Sequence, residues 1–223
     1  PTFLGPSYSA VSRETRLLKE WPDSGPSLVW EMHAGNGYSS PSVVGDNLVF
    51  FHRVGDEEVV ECLESDTGKR FWRFGYPSDY EDRYGYSNGP RASPVIDGDK
   101  VFTLGVQGRL HCLNKATGEV LWKRDLAVDY QLVPGFFGIG TTPLVEGGLL
   151  IVNVGAADGP NVVAFDKETG KVAWSVGGEW GSSYASPIPA DIQGKRRILV
   201  FVGGERSPPV GGLLSLDPIA GKI

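Results

Sequence analysis

Few residues in this chain are spaced for covalent chemistry. Asp66-Thr67-Gly68 spells the aspartic-protease triplet, but that chemistry needs two carboxylates sharing a proton. The same slot reads Ala116-Thr117-Gly118 and Glu168-Thr169-Gly170 further along, so the triplet is a turn. His33, His52 and His111 fall in different segments without metal-ligand spacing. The sequence holds neither a Gly-x-Ser-x-Gly elbow nor a phosphate loop. Residues suited to recognition are more evident. Four loops, His33–Ser40, Tyr76–Ser93, Pro134–Thr142 and Gly177–Ser186, are rich in glycine and aromatics and carry Tyr38, Asn88, Arg91, Phe136, Phe137, Trp180 and Tyr184. Aromatics and arginine are the enriched anchors of binding surfaces, although Phe136, Phe137 and Trp180 would serve equally well as wedges between sheets. Arg91, flanked by Gly89-Pro90 and Ser93-Pro94, is placed to clamp an anion or a backbone carbonyl.

The frame for these loops is an eleven-residue phrase that recurs: Cys62 to Trp72 (CLESDTGKRFW), Cys112 to Trp122 (CLNKATGEVLW) and Ala164 to Trp174 (AFDKETGKVAW), with a partial copy from Ser215 (SLDPIAGKI). Its glycines, Gly68, Gly118, Gly170 and Gly221, are separated by 50, 52 and 51 residues. A period of that size signals supersecondary units stacked or set radially. The phrase itself reads as a β-hairpin: a short apolar strand, a polar turn whose glycine supplies φ > 0, and a second strand ending on tryptophan. Glu64, Asn114 or Asp166 opens each turn, where such side chains bond turn N–H groups. Trp72, Trp122 and Trp174 then stand at one offset, each able to pack between neighbouring sheets while its N–H finds an acceptor.

The chain has 223 residues, 40% of them apolar and 22% charged, which is the composition of a globular protein. Its 31 glycines and 16 prolines suit many short strands joined by tight turns. A net charge of −6 argues against a nucleic-acid partner, and Lys195-Arg196-Arg197 reads as a solvated strand edge. No apolar run is long enough to span a membrane. The sequence begins at Pro1 with no signal peptide, consistent with processing or a fragment. Cys62 and Cys112 occupy the repeat slot that holds Ala164 and Ser215 elsewhere, which favours two buried small residues over a disulfide.

In chain order, residues 1–27 read as an irregular N-terminal strap with a short helical turn around Arg13 to Leu18. Residues 28–223 form the repeat region. It opens on a lone tryptophan strand (28–37, with Leu28–Met32 around Trp30) and continues in units at 38–76, 92–126, 140–177 and 185–223, the last incomplete. Each unit begins after Ser40-Pro41, Ser93-Pro94, Thr142-Pro143 or Ser186-Pro187. The second strands are expected at Leu48–Arg53, Lys100–Leu104, Leu149–Val154 and Ile198–Val202. Four strands per unit and no helical periodicity give an all-β protein of four-stranded antiparallel meanders, about four in number. Radial packing of such sheets makes a β-propeller. A β-sandwich is the alternative, but it does not call for an indole every 50 residues.

The pattern Ala-x-Asp-x-x-Thr-Gly-x-x-x-Trp resembles the tryptophan-docking repeat of the quinoprotein, or PQQ-like, propellers, which include PQQ-dependent alcohol dehydrogenases and the outer-membrane-protein assembly factor BamB. Ala164, Asp166, Thr169, Gly170 and Trp174 match it in full; the copies at Cys62 and Cys112 depart at the first and third positions. Phe3-Leu4-Gly5-Pro6, Leu17 to Pro22 and Asn88 to Pro94 are similar to bacterial PQQ-like repeat proteins. The resemblance implies part of a seven- or eight-bladed propeller, held by Trp30, Trp72, Trp122 and Trp174 against the turn glycines. A small closed ring completed by Leu28–Met32, or self-association of two chains into one ring, would be the alternatives. It also implies a periplasmic or extracellular setting. Quinoprotein dehydrogenases hold PQQ with Ca²⁺ on Glu, Asn and Asp and usually carry adjacent cysteines; Cys62 and Cys112 are 50 residues apart, and no such acidic cluster is evident. The expected function is therefore a non-catalytic scaffold, without cofactor, that binds a protein or peptide through Tyr38, Asn88, Arg91, Phe137, Trp180 and Tyr184. A fragment of a PQQ-dependent alcohol dehydrogenase is the alternative.

Overall fold

The computed structural model describes residues 5, 7–12, 14–132, 135–156, 158–178, 180–204 and 210–223. Phe3, Leu4, Pro6, Arg13 and Pro134 lie outside the described residues, as does Glu179. The protein is a β-propeller of antiparallel meanders. The first sheet contains β1 (Ser42–Val44), β2 (Asn47–Val54), β3 (Glu57–Glu64) and β4 (Arg70–Pro77), and the second β5 (Val95–Asp97), β6 (Lys100–Leu104), β7 (Arg109–Asn114) and β8 (Val120–Asp125). A one-turn helix, α1 (Leu126–Asp129), follows. The third sheet contains β9 (Leu144–Glu146), β10 (Leu149–Asn153), β11 (Val162–Asp166) and β12 (Val172–Val176). The fourth is three-stranded, with β13 (Ile188–Ile192), β14 (Lys195–Gly203) and β15 (Gly211–Leu216).

The sheets pack face to face, so the middle strands are apolar on both sides. Val49, Phe51, Val60 and Cys62 of the first sheet meet Ile96, Val101 and Leu113 of the second. Phe102, Leu104, Leu110 and Cys112 meet Leu150, Val152, Val163 and Phe165 of the third. Ile151, Val162 and Ala164 meet Ile198, Val200, Leu214 and Leu216 of the fourth. Cys62 and Cys112 are free and buried; burial pushes their thiols up to about 11 and about 12.

Each turn is built in the same way. The N–H groups of Gly68, Gly118, Gly170 and Gly221 bond the carbonyls of Glu64, Asn114, Asp166 and Asp217 at 2.8–2.9 Å. Asn114, Asp166 and Asp217 accept further turn N–H groups through their side chains, and Glu64 accepts the Thr67 hydroxyl instead. A one-residue bulge then leaves Trp72, Trp122 and Trp174 directly across from Cys62, Cys112 and Ala164. The small, fully buried residue makes room beside the indole.

The indoles reach the next sheet. Trp72 Nε1 donates to the Lys115 carbonyl (2.7 Å), Trp122 Nε1 to Lys167 (3.0 Å) and Trp174 Nε1 to Pro218 (3.1 Å). Each ring covers the next turn glycine so closely that a Cβ added at Gly118, Gly170 or Gly221 would lie 2.6–2.7 Å from Cε3 of the ring. Trp30 repeats the arrangement on Ser65 (2.9 Å) and Gly68. The segment carrying it, Leu28–Met32, is not a strand, which corrects the sequence expectation. Leu28 and Val29 are exposed and no described strand lies alongside them; the only ladder contact nearby is the isolated bridge from Asn36 to Arg53. Residues 14–18 form no helical turn either, having no apolar surface to lay them on.

A second set of bonds runs along the Ser-Pro and Thr-Pro positions. The Ser40 N–H donates to Ser93 Oγ (3.1 Å), the Ser93 N–H to Thr142 Oγ1 (3.1 Å) and the Thr142 N–H to Ser186 Oγ (2.9 Å). Neighbouring sheets are thus joined at two places, by indoles at the turns and by hydroxyls where each sheet begins.

Gly118 and Gly98 share the left-handed conformation (φ +75° and +57°), but nothing lies within 4 Å of a Cβ added at Gly98. Gly98→Ala is expected to cost about 1 kcal/mol of backbone strain. Gly118→Ala adds displacement of the Trp72 ring and is expected to cost ~3 kcal/mol, lowering Tm by roughly 6–12 °C. Thermal unfolding of the pair would show equal losses if the indole contact contributed nothing.

Candidate binding site on the loop face

The loop after β4 is ordered from inside by charge. The Asp82 side chain is fully buried, and its Oδ1 accepts from the Tyr84 N–H (2.8 Å) and the Tyr86 N–H (3.4 Å). Its Oδ2 pairs with Arg91 Nη2 at 2.5 Å. Arg91 also donates to the carbonyls of Gly89 (2.8 Å) and Ser87 (3.1 Å), and its guanidinium lies over the rings of Tyr38 and Tyr80 at 5.8 and 5.3 Å. Arg53, at the end of β2, holds the same loop from the sheet side by donating to the carbonyls of Tyr80 (2.5 Å) and Asn88 (3.2 Å). The Asn88 side chain accepts the Asp82 N–H at 2.8 Å, and so supports the loop from within.

Over this base sits an aromatic layer. Phe137 lies 5.8 Å from Tyr184, 5.8 Å from Tyr84 and 6.2 Å from Tyr86, ring centre to ring centre. Tyr84 and Tyr86 are stacked, and Phe136 lies against Tyr84 with Arg83 over its outer side. The Phe137 N–H donates to Tyr184 Oη at 3.0 Å, tying two loops together. Tyr38, Tyr86, Arg91, Phe137, Gly140 and Tyr184 enclose an open cavity of about 340 Å³. Gly140 lies against the Arg91 stem and the Tyr184 ring, where an added Cβ would come within 3.6 and 3.2 Å of them.

Four of the six residues expected on the binding face, Tyr38, Arg91, Phe137 and Tyr184, therefore surround one cavity. Trp180 is elsewhere: its ring lies on Gly212 of β15 and joins the core between the third and fourth sheets. Asn88 is turned into its own loop. Sequence reasoning missed Asp82, Arg53, Tyr86 and Gly140. The signal for Asp82 was a charged run, Glu81-Asp82-Arg83, set among tyrosines.

Other buried ionisable groups are committed between or within sheets. Glu58 accepts from Tyr76 Oη (2.7 Å) and from the Val106 N–H of the next sheet (3.0 Å), and burial raises its carboxyl above the usual range. The His111 ring lies tilted against Tyr76, 4.6 Å between centres; burial, with Lys123 and Arg109 adding to it, lowers its imidazole to about 4. Glu61 bonds His52 and Arg70. Among the described residues no three His, Cys, Asp or Glu side chains converge, and none of these carboxylates faces the cavity. The oxygen donors that Ca²⁺ would need beside a PQQ are thus not assembled in the described part of the chain.

Comparison with known proteins identifies the family. The family model described as outer membrane protein assembly factor BamB matches residues 55–223, and the chain belongs to that family of PQQ-like repeat proteins. BamB of Burkholderia pseudomallei (strain K96243) is 31% identical over 150 residues, covering 66% of this chain and 32% of that protein. A quinohemoprotein alcohol dehydrogenase, ADH IIB of Pseudomonas putida, is 26% identical over 155 residues, covering 66% of this chain and 21% of the enzyme. The chain therefore spans about a fifth to a third of the length of these relatives. Among solved structures, BamB from Moraxella catarrhalis superposes with a TM-score of 0.56 at 20% identity, covering 87% of this chain and 49% of that one. Quinohemoprotein alcohol dehydrogenase from Comamonas testosteroni gives 0.60 at 22%, covering 88% and 36%. These superpositions establish a shared fold.

Two outcomes are expected. Asp82→Asn leaves the largely buried Arg91 charge without its partner and should cost about 3 kcal/mol, measured by denaturant unfolding. His111 is harder to protonate in the folded protein than in the unfolded chain, so the unfolded chain takes up the proton first. Its contribution is complete above pH ~6.5 and is lost as the pH falls toward about 4. His111→Val, which copies Val163 at the same slot of the third sheet, should remove ~3 kcal/mol of the difference in stability between pH 7 and pH 4.

Proposed function

We propose that the chain is part of a non-catalytic propeller that binds a protein or peptide partner on its loop face, in the periplasm or outside the cell. The observation that carries this reading is the convergence of Tyr86, Phe137 and Tyr184, from three inter-sheet loops, and Tyr38, from the segment before the first sheet, around one cavity above a neutralised Arg91–Asp82 pair. Tyr38, Tyr84, Tyr86 and Phe136 are exposed together, and an apolar patch of that kind marks an interaction surface. Membership in a family described as an assembly factor supports the same reading. We further propose that the Trp30, Trp72, Trp122 and Trp174 contacts are the docking motif that keeps this face rigid.

A second reading, a fragment of a quinoprotein alcohol dehydrogenase, is favoured by the similarity to ADH IIB over 155 residues. The committed buried carboxylates weigh against it.

Panning a random peptide library on the purified chain tests the first reading. Peptides should be recovered whose binding weakens about tenfold with Tyr86→Ala, an exposed position whose change leaves the fold intact. Failure to recover any peptide sensitive to that change would remove the scaffold reading. Added PQQ and Ca²⁺ should give neither stoichiometric bound quinone nor dye-linked alcohol oxidation; quinone bound one to one would favour the dehydrogenase.

A further inference from the structure

We propose that the cavity between Tyr38, Tyr86, Phe137 and Tyr184 receives a proline of an extended peptide, with the carbonyl that precedes the proline accepting from Arg91. The inference rests on the scaffold reading and narrows it to one kind of ligand.

The walls disfavour a charged occupant. Aromatic rings around a hollow would suit a cation, but the Arg91 guanidinium over the Tyr38 ring already brings a positive group to one wall, which disfavours a second. Arginine in a cavity would suit an anion, but that charge is already met by the fully buried Asp82 at 2.5 Å. What is left is hydrogen-bonding capacity without net charge. A guanidinium has five N–H groups, and Arg91 uses three of them, on Asp82, Gly89 and Ser87. Its Nε–H and one Nη1–H have no partner among the described residues, although the side chain is only 9% exposed. A neutral carbonyl is the group that such a donor takes.

The rest of the lining is mostly aromatic carbon, with the Gly140 backbone and the hydroxyls of Tyr38, Tyr86 and Tyr184 as its few other polar groups. An ordinary peptide residue brings an N–H as well as a carbonyl, and laid against a mostly apolar wall that N–H gives up water for little return. Proline brings the preceding carbonyl and a flat apolar ring but no N–H. Extended proline-rich segments also bind with little loss of conformational freedom, and aromatic-lined grooves recognise them for that reason. The stacked Tyr84 and Tyr86 and the neighbouring Phe136, all exposed, extend the aromatic surface beyond the cavity for the residues that follow.

Fluorescence polarisation with fluorescein-labelled decaproline tests the assignment, with a labelled glycine–serine decamer as control. Saturable binding of decaproline alone is expected. It should weaken about tenfold with Tyr86→Ala, and also with Arg91→Lys, which keeps the charge opposite Asp82 but removes the Nε–H. Absence of decaproline binding, or binding unchanged by Tyr86→Ala, would overturn the proposal. The scaffold reading survives that result if panning yields proline-free peptides sensitive to Tyr86→Ala, and falls with it if panning yields none.

Discussion

An indole seated on a left-handed glycine of the neighbouring sheet is the contact on which the rest of this structure depends. It solves two problems together. The turn needs φ > 0, which glycine supplies at least cost, and the same missing Cβ opens the flat surface that the ring covers. Neither partner works with a substitute: a larger residue at the turn meets the ring, and a smaller ring leaves the turn bare. The bulge that precedes each tryptophan sets its direction, and the Cys or Ala across the strand gives it space. Apolar packing between sheets is non-directional; the indole N–H is directional and fixes the register of one sheet against the next.

Much of this was legible because it repeats. Lys100–Leu104 was read to the residue, and Leu149–Asn153 to within one. The strand around Ile198 was read too short, since β14 begins at Lys195, where charged residues pair with β13 at an exposed edge and leave no apolar alternation to follow. The helix Leu126–Asp129 is a single turn capped by Asp125, too short to show a period. Leu28–Met32 has a strand's residues without a strand, because pairing is a property of neighbours and not of the segment. The cavity was legible only as a surplus of loop aromatics. Nothing in the spacing distinguished Trp180, which fills a gap over glycine in β15, from Tyr184, which stands beside Phe137.

The loop face has an unusual electrostatic arrangement for a surface so rich in arginine and tyrosine. Arg53 is buried and Arg91 largely so, and both work mainly on backbone carbonyls of the loop between the first two sheets. Asp82 balances the second of them directly. The loop is therefore stiffened by charges that contribute little field outside, and its aromatics meet solvent as a nearly neutral patch on a chain of net charge −6. Such a patch selects by shape and by single hydrogen bonds, with weak dependence on salt.

The acceptors of the four indoles are main-chain carbonyls, belonging to Ser65, Lys115, Lys167 and Pro218. A carbonyl is present whatever the side chain, so drift at these positions leaves the joint untouched, as four different local sequences already illustrate. Whole units can in that case be exchanged, duplicated or grafted from one protein of this kind into another, provided the turn length and its glycine travel with them. Recombination would then act on complete sheets as interchangeable parts, with the loops between them free to diversify.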